Sequence, residues 1–487
     1  MPDMDSYTDK LDTKSSLPAR EITDDSKMTP PTPPIASVSP PALLSPYELL
    51  YSTPGMAAAV APAMHIRQIL RFEVALAHAE AQAGLIPREA AQAIAEGCTA
   101  VQIDITELYR QAALAGTVVI PLVKMIAEYI PIIGRAYIHW GATSQDAIDT
   151  ALMLQMRIGL GLLEADLLRI CNACVRFAEQ HRRTLMVGRT LLQHALPITF
   201  GLRAARWLAL ATRQVTTIRS LQAQLTLQFG GAAGTLAALG QRGMQVATLL
   251  AESLGLLLAD LPWHAERDRI GTIAGALGVI VGAAATIAHD LVLLAQTEVA
   301  EVSEIQLPGK GGSSALPQKH NPVDATMALA CARLALSQIP TVLGVFTHEH
   351  ERSAGAWQAE WAAIPDLLRY TGGAISRVAQ ALEGLQVDAT RMQTNLDMGH
   401  GLVMAEALTL ALAPQLGRQA AQQLVQELVQ ETLRRSATLH TIAQGDDRVQ
   451  MFLSPTAIAV ALDPTHYLGS TDALIDRALA AYQAIQS

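Results

Sequence analysis

The chain has 487 residues, enough for a large core and several domains. Half of the residues are hydrophobic, only 4% are aromatic, and the formal net charge is −9. Ala and Leu abound while aromatics are few, which favours helix over strand, and the acidic balance excludes a basic nucleic-acid surface without excluding an anionic small molecule held by local positive potential.

Residues 1–41 are polar and Ser/Thr-rich, then Pro-rich, with no apolar periodicity; this composition predicts a disordered tail. No apolar stretch flanked by basic residues marks a signal peptide, and Asp3, Asp5, Asp12, Glu21, Asp24 and Asp25 are too many acids for a usual transit peptide. Residues 42–149 read as short helices joined by loops. Within them, Ala63 to Ala83 has helical spacing, Gly84 stops it and Pro87 begins the next helix.

From residue 150 to about 396 come long Ala/Leu-rich runs, which predict a long helical bundle: Thr150 to Arg182, Pro197 to Thr226, Gly271 to Glu304, Pro322 to Phe346 and Pro365 to Leu385. Ile270 to Ala288 contains no charged side chain and is long enough to span a membrane. Its repeated Gly and Ala, and the absence of a flanking positive bias, favour a helix buried inside the bundle. Gly399-His400-Gly401 breaks the pattern, and residues 397–487 read as a third, small helical region.

Cys98, Cys171, Cys174 and Cys331 are the four cysteines. Cys171 and Cys174 make a CxxC inside a helical pattern with no second pair, so they read as helix residues rather than a zinc set. Unpaired thiols suit a cytoplasmic protein. His348 and His350 alternate with Glu349 and Glu351. On a helix these residues would point to different faces, so no metal site is expected.

The segment richest in chemistry is PGKGGSSALPQKHN, Pro308 to Asn321, followed by Pro322. Its glycines make a flexible loop carrying Ser313 and Ser314. Asn321-Pro322 predicts a helix start, with Asn as N-cap and Pro at the first helical position. Lys319 and Asn321 would then sit at a helix N-terminus, where free N–H groups favour an anion. A plain glycine-rich connection before a helix would look the same.

This segment resembles the signature GSSxMPxKxNP of the fumarase/aspartase superfamily, with Leu316 where Met is usual. The resemblance implies that Ser313 is the catalytic serine and that Lys319 and Asn321 contact a substrate carboxylate or its aci form, under a closing loop. Gly141 to Asp146, followed by Asp149-Thr150-Ala151, resembles a second signature, TSxDxxDTA, in which Thr143, Ser144 and Gln145 would bind a carboxylate. Thr143 or Ser144 also suits a helix N-cap. Gly188 to His194 resembles a third, GRTHxQ, bringing Thr190, Gln193 and His194 to the site. Here Leu191 replaces the family His, which handles the leaving group's proton.

That departure narrows the chemistry. An amine or hydroxide leaving group needs a general acid, whereas a carboxylate departs as a stable anion. The pattern therefore fits lactonisation, and the chain from about Ser45 to Leu468 resembles the carboxymuconate cycloisomerases of the superfamily. Leu50 stands before the Tyr of YSTP, where nucleotide-cleaving members carry Arg. His350-Glu351-Arg352 with Trp357 resembles the cycloisomerase HER…W segment, in which Arg352 would pair with a further substrate carboxylate or form a structural ion pair. His139, before Trp140-Gly141, is either a ligand contact or a packed loop residue. Trp263-His264 with Arg267 and Arg269 reads as a structural salt-bridge segment. By resemblance the subunit is all-α with three domains, needs no metal or cofactor, and acts on a small polycarboxylate. It would assemble as a homotetramer whose sites draw the three signature regions from three subunits. Another superfamily lyase or decarboxylase acting on an aconitate-, fumarate- or adenylosuccinate-type substrate is the alternative.

Overall fold

The structure is a computed structural model describing residues 48–486; the expected tail at 1–41 lies outside the described residues. The fold is dominated by helix. Five long helices form the bundle: α3 (Ser144–Gln180), α4 (Phe200–Ala223), α5 (Asp268–Ala295), α6 (Val323–Gly344) and α7 (Ala356–Glu383). α3 packs on α4 and α7, and α6 packs on α5 and α7. Before them, α1 (Pro62–Gln82) and α2 (Arg88–Ala100) pack on one another, and α1 also packs on α3. Gly84, at φ 73°, and Pro87, as N-cap of α2, stop and restart the chain as the sequence predicts. After residue 400, shorter helices gather Leu408, Leu412, Leu424, Val425 and Leu428 into a small core of their own.

α3 begins at Ser144, within the residues read as the first helical region. Two expectations are corrected. Pro365 does not start a helix but lies inside α7. Burying Trp357, Glu360, Ala363, Ile364, Leu367 and Leu368 on either side of Pro365 outweighs the one backbone bond it forgoes. A hairpin, β1 (Leu185–Thr190) paired with β2 (Gln193–Thr199), interrupts the helices. Its two-residue turn, Leu191-Leu192, has φ of 50° and 65°. Hairpin turns of this hand normally use Asn or Gly, so the sequence carries no turn signal there.

The apolar run Ile270 to Ala288 lies within α5, which with α6 is long and apolar enough to cross a membrane by length and composition. Ile270, Ile273, Leu277, Ile280 and Ala284 of α5 are buried in the bundle core. Val279 and Leu293 of α5 and Leu336 and Leu343 of α6 remain exposed.

Candidate active site

The bundle has two ends, and the candidate residues divide between them. The first end gathers the start of α3, the loop before it, residues 228–234, the start of α5 and residues 345–356. Asp146 organises this end. Its carboxylate is fully buried and accepts from Gly230 N (2.9 Å), Gly231 N (2.9 Å), Thr143 N (3.0 Å) and Gln228 Nε2 (3.1 Å), with His264 Nε2 2.8 Å away. Thr143 is the N-cap of α3, so its cap and carboxylate-binding readings fall on one residue. Ser144 follows, half-buried.

Asp149, one turn along, meets Arg267 in two bonds, Nη1 to Oδ2 (2.7 Å) and Nη2 to Oδ1 (3.2 Å). It also accepts from Trp357 Nε1 at 3.0 Å. Arg267 Nε reaches Glu360 Oε1 at 3.1 Å and its guanidinium stacks over Trp263 at 4.9 Å, while Arg269 pairs with Asp260. The 263–269 segment is thus a salt-bridge segment, as its composition suggests.

Gln145 is fully buried, with Nε2 donating to Asp149 (3.1 Å) and to His264 O (2.9 Å). Its Oε1 accepts from Arg352 Nε at 3.1 Å, and Arg352 Nη2 donates to Ala232 O. Within one chain these two side chains hold the loops at the head of α3. His348 and His350 lie on the non-helical connection between α6 and α7, not on a helix, because Thr347 pairs with Glu266 as an isolated β-bridge. His348 is buried 3.6 Å from Glu360, and burial followed by the charge of Arg267 lowers its pKa. His139 sits before Thr143 at φ 57°, its Nδ1 2.6 Å from Glu73 Oε1.

The second end holds the hairpin and the serine loop. Arg189 of β1 makes a bidentate pair with the buried Glu301 (2.7 and 3.0 Å), which also accepts from Asn395. This anchors the hairpin base and leaves Thr190, Gln193 and His194 exposed beside the turn, with Leu191 at 97% exposure. Burial, then the charge of Arg189, lowers the His194 pKa from its ordinary value.

The loop from Pro308 to Asn321 lines a cleft of about 600 Å³ with Ser313, Ser314 and His320 on its wall. Gly309 and Gly311 have φ of 82° and 71°, which glycine adopts without strain. Between them Lys310 places its Nζ 2.5 Å from the buried Asp324, which Arg377 also contacts at 2.9 Å. Ser313 Oγ accepts from Ala315 N (3.3 Å) and Leu316 N (3.1 Å). Lys319 is exposed.

One expectation about this end is overturned. α6 begins at Val323, with Pro322 rather than Asn321 before it. Asn321 instead donates from Nδ2 to Gly311 O (3.1 Å) and closes the base of the loop. The first amides of α6 are not open to a ligand, because the carboxylate of Glu304 accepts from Asp324 N (3.1 Å) and Ala325 N (2.9 Å). A helix dipole attracts whichever anion is nearest, and here the chain supplies it. Nothing in the local run PQKHNPVD signals a carboxylate 17 residues upstream of Asn321.

The sequence of residues 58–336 matches the family described as Lyase, and residues 401–478 match Adenylosuccinate lyase C-terminus. Among curated relatives, the 3-carboxy-cis,cis-muconate cycloisomerase of Bradyrhizobium diazoefficiens is 44% identical over 434 residues, covering 88% of this chain and 96% of that one. The enzyme of the same name from Pseudomonas aeruginosa is 42% identical over 425 residues, 86% of this chain and 92% of its own. Among solved structures, the 3-carboxy-cis,cis-muconate lactonizing enzyme of Pseudomonas putida superposes with a TM-score of 0.87 at 40% identity, covering 91% of this chain and all of that one.

Proposed function

Because this chain belongs to the lyase family of the fumarase/aspartase superfamily, we propose that it is a cofactor-independent cycloisomerase that closes 3-carboxy-cis,cis-muconate to a carboxymuconolactone. The observation that carries this reading is Leu191, fully exposed at the tip of the hairpin where the superfamily's acid/base His would stand. A leucine cannot donate a proton to an amine or hydroxide, but an internal carboxylate needs none.

In the proposed reaction, one substrate carboxylate forms a C–O bond to a double-bond carbon. The π electrons move to the neighbouring carbon and into its own carboxylate, giving an aci-carboxylate. Donors preorganised at those oxygens lower the barrier most. With the α6 amides occupied by Glu304, the donors left are Lys319, Asn321 and the hydroxyls of Thr143 and Ser144. The Ser313 hydroxyl then protonates carbon, and solvent restores its proton. The two glycines flanking Lys310 suit a loop that closes for this step.

The site is proposed to be shared between copies in a homotetramer. The two ends of the bundle are too far apart for one chain to complete it, and the exposed apolar residues of α5 and α6 suit burial against a second bundle. Four buried, unpaired cysteines suit a cytoplasmic enzyme. The test is a substrate panel with purified protein, comprising 3-carboxymuconate, muconate, aconitates, fumarate, argininosuccinate and adenylosuccinate. Lactone from the first alone supports the reading; fumarate or carbon dioxide release would replace it.

A further inference from the structure

Two buried acids lie seven residues apart on one face of α1, outside the residues the proposed reaction uses. Glu73 is completely covered; its Oε1 lies 2.6 Å from His139 Nδ1 and its Oε2 has no partner among the described residues. Glu80 is fully buried and neither of its oxygens has a partner among the described residues. His139 keeps a left-handed backbone, at φ 57°, four residues before the N-cap of α3. Such a conformation costs on the order of 1 kcal/mol and persists only where neighbours hold it. Here Glu73 is that hold. The His139 side chain is 16% exposed, and its ring makes no second hydrogen bond with a described residue.

We infer that Glu73 is a positioning residue for the reaction: it fixes the imidazole of His139 through Nδ1 so that Nε2 presents an N–H to a substrate carboxylate beside Thr143 and Ser144. This rests on the substrate class proposed above. With Nδ1–H directed at Glu73, Nε2 carries a proton only in the imidazolium form. The charged groups acting on the ring are Glu73 of α1 and Asp146 of α3, and Glu73 in turn acts on Glu80 of α1 and Cys98 of α2. Burial alone would lower the His139 pKa, but the charge and hydrogen bond of Glu73, with Asp146, raise it overall. Burial, then the charge of Glu73, pushes Glu80 up to about 9, so Glu80 is neutral at pH 7. At the end of α1, Arg242 donates to the carbonyls of Ala83 and Gly84.

Substrate binding should therefore weaken as pH rises through the raised pKa of His139. In Glu73→Gln, burial is opposed by Asp146 alone, and that limb moves to lower pH. The experiment measures kcat and KM against pH for wild type, Glu73→Gln and Glu73→Asp. In parallel, the His139 Cε1–H resonance, assigned by its loss in His139→Asn, is titrated in substrate-free protein. The expected result is that the resonance midpoint and the KM limb both fall by about one pH unit or more in Glu73→Gln. KM at pH 8 then rises about tenfold with kcat nearly unchanged, and Glu73→Asp restores part of the shift. An unmoved midpoint, or a loss equal at every pH with a lowered melting temperature, overturns the inference. If wild type fails to turn over the tricarboxylate, the proposed function fails, and the substrate-free titration still decides whether Glu73 sets the ionisation of His139.

Discussion

Thr143 and Thr190 stand at opposite ends of α3, one capping its first turn and the other at the tip of the hairpin that follows its last. Thirty-seven residues of helix separate those ends by about 55 Å, and a six-residue strand of about 20 Å cannot return that distance. Ser313 belongs with Thr190: Arg189 binds Glu301, and Glu304 caps the helix into which the serine loop feeds.

This separation predicts complementation between copies. Ser144→Ala and Ser313→Ala should each be nearly inactive. Dissociated and reassembled in equal amounts, they should recover about a quarter of wild-type activity, because a site drawing the two residues from different chains then finds both intact in one case of four. Steady-state rates before and after mixing check this; no recovery would mean that each chain supplies its own pair.

The cluster at the head of α3 should be a main source of stability. Arg267→Met leaves the carboxylates of Asp149 and Glu360, each at most 2% exposed, buried without a cation. Removing one partner of such a cluster costs about 3–5 kcal/mol. Urea unfolding of the variant should show an unfolding free energy lowered by that amount.

Glu80 predicts a pH dependence of stability. Its folded pKa of about 9 lies above the ordinary carboxylate value, so between roughly pH 4.5 and 9 the folded chain binds the extra proton. The group's contribution is therefore most favourable below that window and is lost as pH rises through it. Glu80→Gln should stabilise the protein at pH 8 by on the order of 5 kcal/mol and change little at pH 4.5. Melting curves across this range check the sign; a variant equally affected at both pH values would contradict it.

The helices were legible where local chemistry decides them. Gly84 and Pro87 bound α1 and α2, and the Ala/Leu runs mark the bundle. What escaped the sequence depends on partners remote in the chain. Glu304 takes the anion place at α6, Arg352 braces Gln145, and the Leu191-Leu192 turn adopts a backbone usually reserved for Asn and Gly. The candidate residues themselves were legible through their resemblance to signatures. Their division between two ends of a bundle follows only from helix length.

In the proposed reaction a hydroxyl on a glycine-hinged loop protonates carbon during lactone closure. The decisive assay follows loss of diene absorbance from 3-carboxy-cis,cis-muconate by wild type and Ser313→Ala, with melting temperature as the folding control. Wild type should form lactone rapidly, and an equally stable variant should show a kcat lowered about 10²–10⁴-fold. A Ser313→Ala protein that closes the lactone at the wild-type rate would contradict it.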